Sequence, residues 1–239
     1  MPTCSLQLLI DPADLHVIQA TNRMIVIAKP VNDPHHPTVV WQSFTPRADN
    51  LVAWSDTYGL YAAPTRLVHG ARLMPTQSQP YPVRPAHAYA FAADARFHGP
   101  LPCAGAVGAR QFYVENQVPL TQYPALIFGL TQAAIINSSP TPAIPISAHA
   151  VSADQAAWLT PLNTVYVWLH AEMAGGTVLT HLPEAVTAVQ YGSLITAQTL
   201  KYDPAQDLFL PYSHVKRSFN RSLPYVAWPG SGLSAPPAR

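Results

Sequence analysis

Two histidines and one glutamate near a pair of glycines are the residues best suited to chemistry in this sequence. Gly175-Gly176 is predicted to occupy the centre of a tight turn, where a positive φ costs glycine little. In the hairpin that such a turn would form, His170 faces His181 across the two strands. Because alternate strand residues share a face, Trp168, His170, Glu172 and His181 are expected on one side of this hairpin.

This group of side chains has three interpretations. Two imidazoles and a carboxylate could bind a divalent metal if a further ligand joined them. Alternatively, Glu172 could set the tautomer of a histidine that acts as a general acid or base. The third interpretation is structural, with these residues forming the wetter face of an amphipathic hairpin. We take His170, Glu172 and His181 as catalytic candidates and assign no metal site.

Aromatic residues supply the candidate substrate contacts. The chain has five tryptophans and eleven tyrosines, which is many for a chain with only 10% charged residues. Aromatic side chains at the rim of a sheet can stack on sugars or hold apolar ligands, although the same residues can also form the core. The predicted substrate-binding residues are Trp168, Tyr166, Trp54, Trp41 and Tyr58.

The composition predicts an all-β fold, so strands are expected to position these residues. The low content of charged residues compares with roughly 25% in ordinary soluble domains and argues against long amphipathic helices. The 26 prolines are spread along the 239 residues, and proline is mostly confined to turns and strand edges in sheets. Strands are predicted over residues 23–29, 38–44, 51–54, 58–62, 66–73, 87–91, 111–116, 126–130, 165–171, 177–182 and 187–191, with only a few short helical turns.

An internal pseudo-repeat predicts how these strands are organised. Thr45-Pro46 precedes a strand that ends at Trp54, and Thr160-Pro161 precedes a similar strand containing Trp168. Such a repeat favours two similar β-sandwich-like halves packed into one compact unit. The cleft between the halves, or the open end of one sandwich, is the expected site. The predicted boundaries are a first half over 1–98, a Gly/Pro linker over 99–109, a second half over 110–228 and a flexible tail over 229–239.

Charge and hydropathy exclude several classes of partner. The net charge is +1 and the basic residues do not cluster, so no nucleic-acid partner is expected. No apolar run reaches the roughly 18 residues of a membrane span, and no secretory signal is recognisable after Met1. We therefore expect no integral membrane segment and a cytoplasmic location, with Cys4 and Cys103 reduced.

The absence of cofactor motifs narrows the function. The sequence has no dinucleotide-binding glycine motif, phosphate loop, nucleophile elbow, Cys-x-x-Cys pair or zinc-protease helix. We predict an enzyme without a cofactor, of the cyclase or isomerase type, which acts on an apolar small molecule of secondary metabolism in an aromatic-lined cleft. The alternatives are a non-catalytic, lectin-like module that binds carbohydrate or membranes, and a structural protein that associates with itself into a homo-oligomer.

Several short segments resemble known proteins. The chain is similar, over most of residues 6–208, to a group of small fungal proteins without assigned function. The segments that carry this resemblance are Asp11-Pro12-Ala13-Asp14, Ala28-Lys29-Pro30, Val39-Val40-Trp41, 54–61, Gly129-Leu130-Thr131-Gln132 and 160–168. At the level of fold, the predicted architecture also resembles fungal lectins and actinoporin-like proteins, which are duplicated β-sandwiches with aromatic rims. Neither resemblance implies a reaction or site residues.

Overall fold

Strands account for 50% of the residues that the structure describes and one helix for 4%, so the structure is mostly β, as predicted. The structure is a computed structural model that describes residues 3–103 and 108–212. In chain order the elements are β1 (Thr3–Leu9), α1 (Pro12–Ala20), β2 (Arg23–Ala28), β3 (Val40–Phe44), β4 (Asp49–Ser55), β5 (Gly59–Ala63), β6 (His87–Ala92), β7 (Phe97–Pro102), β8 (Phe112–Gln117), β9 (Ala125–Ile136), β10 (Ser139–Pro145), β11 (His149–Ser152), β12 (Ala156–Leu159), β13 (Thr164–Ala171), β14 (Thr187–Gln190), β15 (Ala197–Asp203) and β16 (Leu208–Pro211).

The described strands form three sheets that pack together. The largest has eight strands in the order β10-β9-β4-β1-β15-β16, with β11 and β5 also paired to β9. The other two have four strands each, in the orders β12-β8-β6-β7 and β14-β13-β2-β3. Most pairs are antiparallel, while β1–β15 and β6–β8 are parallel. Among the described residues no helix is long and apolar enough to cross a membrane.

The predicted division into two similar halves is not confirmed by this topology. Each of the three sheets combines strands from both predicted halves, for example β2 with β13 and β5 with β9. The predicted linker over 99–109 begins within β7, and its residues 104–107 lie outside the described residues. The predicted tail over 229–239 also lies outside them.

The pairing of β2 with β13 places both strands in the interior. Val26 and Trp168 face a small apolar cluster on one side of the sheet, whereas Ile25, Ile27 and Val167 face the main core on the other. Trp168 is only 1% exposed, so this part of β13 has no solvent-exposed face. Because side chains alternate along a strand, the residue two positions after Ile27 also points towards the main core. That residue is a lysine.

Candidate functional site

Lys29 carries an amine into the apolar centre of the protein. It follows the last residue of β2, and its exposed fraction is 3%. None of the ion pairs among the described residues involves Lys29. Lysine is rarely buried without a charged partner, because the ammonium form loses its hydration.

Three aromatic rings and one amide surround this amine, and we call them the amine box: Trp41, Trp54, Tyr58 and Gln132. The Nζ atom lies 5.0 Å from the ring centroids of Trp41 and Trp54 and 6.0 Å from that of Tyr58. The two indoles meet edge to face, with centroids 5.5 Å apart. Ring faces attract a cation, so the amine box favours the protonated form of the amine.

Gln132 fixes the amine within the amine box. Its Oε1 accepts a hydrogen bond of 2.7 Å from Lys29 Nζ, and its own amide nitrogen donates to the Ser55 carbonyl at 2.7 Å. The Trp41 indole nitrogen donates to the backbone carbonyl of Gln132 at 2.9 Å. These bonds orient the amide oxygen towards the amine, so β3, β4 and β9 together determine where Nζ lies.

Burial sets the protonation of Lys29. Loss of hydration lowers the pKa of Lys29 from 10.5 to about 7, although the negative charge of Asp56 opposes this change. Near neutral pH the amine is therefore present in both neutral and protonated forms. A group in this condition can both accept and donate a proton, and its neutral form has a free lone pair that can act as a nucleophile.

A narrow inner space borders Lys29. This inner space has a volume of about 10 Å³. It is lined by Cys4, Lys29, Trp54, Asp56, Leu162, Asn163, Val165 and Tyr191. Four of these residues, Cys4, Asp56, Asn163 and Tyr191, also line a larger outer cavity of about 290 Å³, together with Arg110 and the 192–196 loop. The inner space that borders Lys29 therefore adjoins the outer cavity.

Asp56 is the carboxylate shared by the two spaces. Its Oδ1 accepts a hydrogen bond of 3.1 Å from the Tyr58 hydroxyl, and its Oδ2 lies 3.4 Å from an Arg110 guanidinium nitrogen. Burial and the charge of Asp56 raise the pKa of Tyr58, so this hydroxyl keeps its proton and remains a donor. Asp56 and Arg110 also line a further cavity of about 320 Å³, together with Tyr58 and Phe112.

Cys4 is a further titratable group in the inner space. Burial and the nearby charge of Asp56 raise the pKa of the Cys4 thiol, while Lys29 and Arg110 act in the opposite direction. The thiol is therefore neutral at physiological pH, and only the thiolate is a strong nucleophile. Of the groups whose pKa is shifted here, Lys29 is the one that gains and loses a proton near neutral pH.

The hairpin predicted across Gly175-Gly176 is wrong. β13 ends at Ala171 and pairs with β2 and β14. The backbone after the turn is bonded elsewhere, because Gly176 N donates to the Val40 carbonyl and Val178 N to the Ala71 carbonyl, each at 2.8 Å. The segment after the glycines thus pairs with residues outside β13.

The three predicted catalytic residues are consequently placed in different surroundings. His170 is half-buried and pairs in register with Met24 of β2. Glu172 is exposed, with φ at +57°, and lines an open depression of about 440 Å³. His181 is exposed and stacks on His69, with ring centroids 4.2 Å apart. The role of these three residues as acids or bases stays a prediction.

The predicted substrate-binding aromatics divide into two groups. Trp41, Trp54 and Tyr58 are brought together around Lys29. Trp168 and Tyr166 lie instead in the separate cluster on the other face of β13, where the Tyr166 hydroxyl donates to the Pro34 carbonyl at 2.6 Å. Among the described residues, no three His, Cys, Asp or Glu side chains form a group that could hold a metal ion.

Lys29 itself was missed by sequence analysis, although the sequence contains a signal for it. The chain has only three lysines, and Lys29 directly follows the apolar run 24–28 of a strand predicted to be buried. The amine of a lysine that continues such a strand is expected either to extend out of the core to solvent or to be buried because it has a functional role.

Comparisons of the chain with protein-family models, with curated proteins and with solved structures find no match.

Proposed function

We propose that this protein is an enzyme of the cyclase or isomerase type that acts on an apolar small molecule without an organic cofactor, and that Lys29 is its proton-transferring group. The observation that carries the proposal is a lysine that is buried without an ion-pair partner among the described residues and lines a small space next to a larger cavity. A structural role alone would be served by an apolar side chain, which avoids the desolvation of an ammonium group.

The surroundings of Lys29 support proton transfer at carbon. The amine box keeps water away from the amine, and Gln132 fixes its position. A base whose pKa is close to the ambient pH transfers protons efficiently in both directions, which both isomerisation and cyclisation require. Asp56 provides a second proton acceptor in the same inner space.

The proposal is tested by hydrogen exchange at carbon. Terpenoid- and polyketide-like compounds that raise the melting temperature are incubated with the protein in D2O, and mass spectrometry measures deuterium uptake and isomerised or cyclised products. We expect Lys29→Met to lower the rate by about 10²- to 10⁴-fold, the usual contribution of a general base. Lys201→Met, which alters an exposed lysine paired with Asp11, should retain the rate.

The same assay distinguishes Lys29 from the histidines. Loss of turnover in His170→Ala and His181→Ala, with Lys29→Met unaffected, would favour the candidates predicted from the sequence instead. A wild-type protein that binds compounds but gives neither exchange nor product would contradict an enzymatic function.

A second candidate function is carbohydrate binding, and a specific pair of rings favours it. Trp158 on β12 is 42% exposed, and its ring centroid lies 4.4 Å from that of Tyr113 on β8. Exposed aromatic faces are common contacts for sugars. On a glycan array, we expect Trp158→Ala to abolish any binding shown by the wild type. Ile135→Ala, which shortens another exposed apolar residue, serves as the control, and equal binding by all three proteins would exclude this surface.

A further inference from the structure

The dimensions of the inner space restrict what can reach Lys29. A volume of about 10 Å³ corresponds to roughly one water molecule. A substrate can therefore place only a small terminal group beside the amine, and the rest of the molecule must remain in the outer cavity of about 290 Å³. A branched or ring-embedded reacting group would not fit through this space.

The chemistry of the amine selects among terminal groups. A desolvated lysine in an apolar site is the typical amine for Schiff-base formation with carbonyl compounds. Resting on the proposed function, we propose that Lys29 forms an imine with the terminal carbonyl of an apolar aldehyde whose chain lies in the outer cavity. The proposal defines both the substrate class of this site and the way in which the site binds it.

The reaction balances without an external oxidant or reductant. The lone pair of the neutral amine attacks the carbonyl carbon, the carbonyl electron pair moves to oxygen, and proton transfer gives a carbinolamine. A proton from solvent joins the hydroxyl group, which leaves as water, and the nitrogen lone pair forms the C=N bond of a protonated imine. Removal of a proton from the adjacent carbon then moves the C–H electron pair towards nitrogen and forms an enamine, which can be reprotonated or can attack a second electrophilic carbon. Hydrolysis of the imine releases the carbonyl product and regenerates the amine.

The residues of the inner space match the needs of these steps. Asp56 lines both the inner space and the outer cavity and can take the proton from the adjacent carbon. The amine box attracts the positive charge of the protonated imine through its ring faces. Leu162 and Val165 line the inner space with apolar surface and limit the access of bulk water.

Reductive trapping tests the imine. The full chain is treated with octanal and sodium cyanoborohydride at about pH 7, and peptide mapping measures the alkylation of each lysine. At this pH the fraction of neutral amine is roughly 10³-fold larger for Lys29 than for an ordinary exposed lysine. We expect labelling of Lys29 to exceed that of Lys201 by at least about tenfold, and labelling by the isomeric 4-octanone to be much weaker.

Variants test whether the aldehyde reaches Lys29 through the outer cavity and the inner space. Lys29→Met should remove the dominant label, whereas Lys201→Met should retain it. Asn163→Trp introduces a bulky ring at an exposed residue that lines both spaces, and it should reduce labelling of Lys29 while that of Lys201 is unchanged. This variant keeps the test decisive if Lys29→Met fails to fold.

The outcomes separate this inference from the proposed function. If Lys29 stays unlabelled while exposed lysines react, and deuterium exchange still depends on Lys29, the imine is excluded and Lys29 acts only as a base. If Lys29 is neither labelled nor needed for exchange, the imine and the proposed function both fail. Preferential labelling by 4-octanone would overturn the restriction to terminal carbonyls.

Discussion

Replacing Lys29 by methionine should remove a rise in stability of roughly 1–2 kcal/mol that the wild type shows between about pH 7 and pH 8.5. In the folded state burial lowers the pKa of Lys29 to about 7, whereas the unfolded value is 10.5. Over this interval the unfolded chain keeps the lysine proton while the folded chain loses it. Because the unfolded state binds more protons, the free energy of unfolding rises with pH.

Between pH 7 and pH 8.5, other titratable groups contribute little to the change of the free energy of unfolding with pH. Burial lowers the pKa of His149, which places its titration below the interval. Burial raises the pKa values of Cys4 and Tyr191, so both titrate above it. Below about pH 7 lysine is protonated in both states, and its contribution to the slope disappears.

Urea denaturation at several pH values measures this effect. Lys201→Met is the matched control, because the hydrogen bond with Asp11 raises the pKa of Lys201 and leaves it protonated in both states throughout the interval. The free energy of unfolding of Lys201→Met should rise with pH as it does in the wild type, whereas that of Lys29→Met should stay constant over this interval. Parallel slopes for wild type and Lys29→Met would mean that the amine is protonated within the folded protein, and the basis of the proposed function would be lost.

The sequence pattern predicted several strands correctly because strand formation depends on nearby residues, whereas the segments 66–73 and 177–182, also predicted as strands, contain only isolated bridges. The apolar run before Lys29 became β2, and the predicted strands over 126–130 and 165–171 lie within β9 and β13. The hairpin at Gly175-Gly176 failed for the opposite reason. The choice of strand partner depended on Val40 and Ala71, which are more than a hundred residues away in the chain.

The candidate site was only partly predictable for the same reason. The aromatic residues Trp41, Trp54 and Tyr58 are recognisable from their residue type as candidates for substrate binding. Their position around one amine is set by the packing of β2, β3 and β4, which no local pattern specifies. Gln132, which holds the amine, lies 103 residues from Lys29 along the chain. Pairs so distant can be identified only once the sheets are assembled.

Gly129→Ala should destabilise the protein by about 3–6 kcal/mol, a large part of the total stability of a domain. Gly129 lies in β9, where it pairs with Tyr61 of β5. An added Cβ atom would lie 2.7 Å from Tyr61 Cε1 and would overlap the Ser147 carbonyl oxygen. That oxygen accepts a hydrogen bond of 2.6 Å from the Tyr61 hydroxyl, and both residues are buried. The methyl group can fit only if this bond is broken or the strands separate, and each costs several kcal/mol.

The midpoint of urea denaturation measures this loss, with Gly192→Ala as the control. Apart from its chain neighbours, no atom of the described residues lies within 4 Å of the position that a Cβ atom would take at Gly192, so the stability of this variant should change by less than about 0.5 kcal/mol. Because β9 also carries Gln132, a separation of β9 from its neighbours in Gly129→Ala should displace the amide that holds Lys29. In the fraction of this variant that still folds, reductive labelling of Lys29 by octanal should therefore be weaker. A Gly129→Ala protein with the wild-type midpoint would show that β9 and the Ser147 backbone are not in close contact, and the placement of the amine box on this sheet would then be wrong.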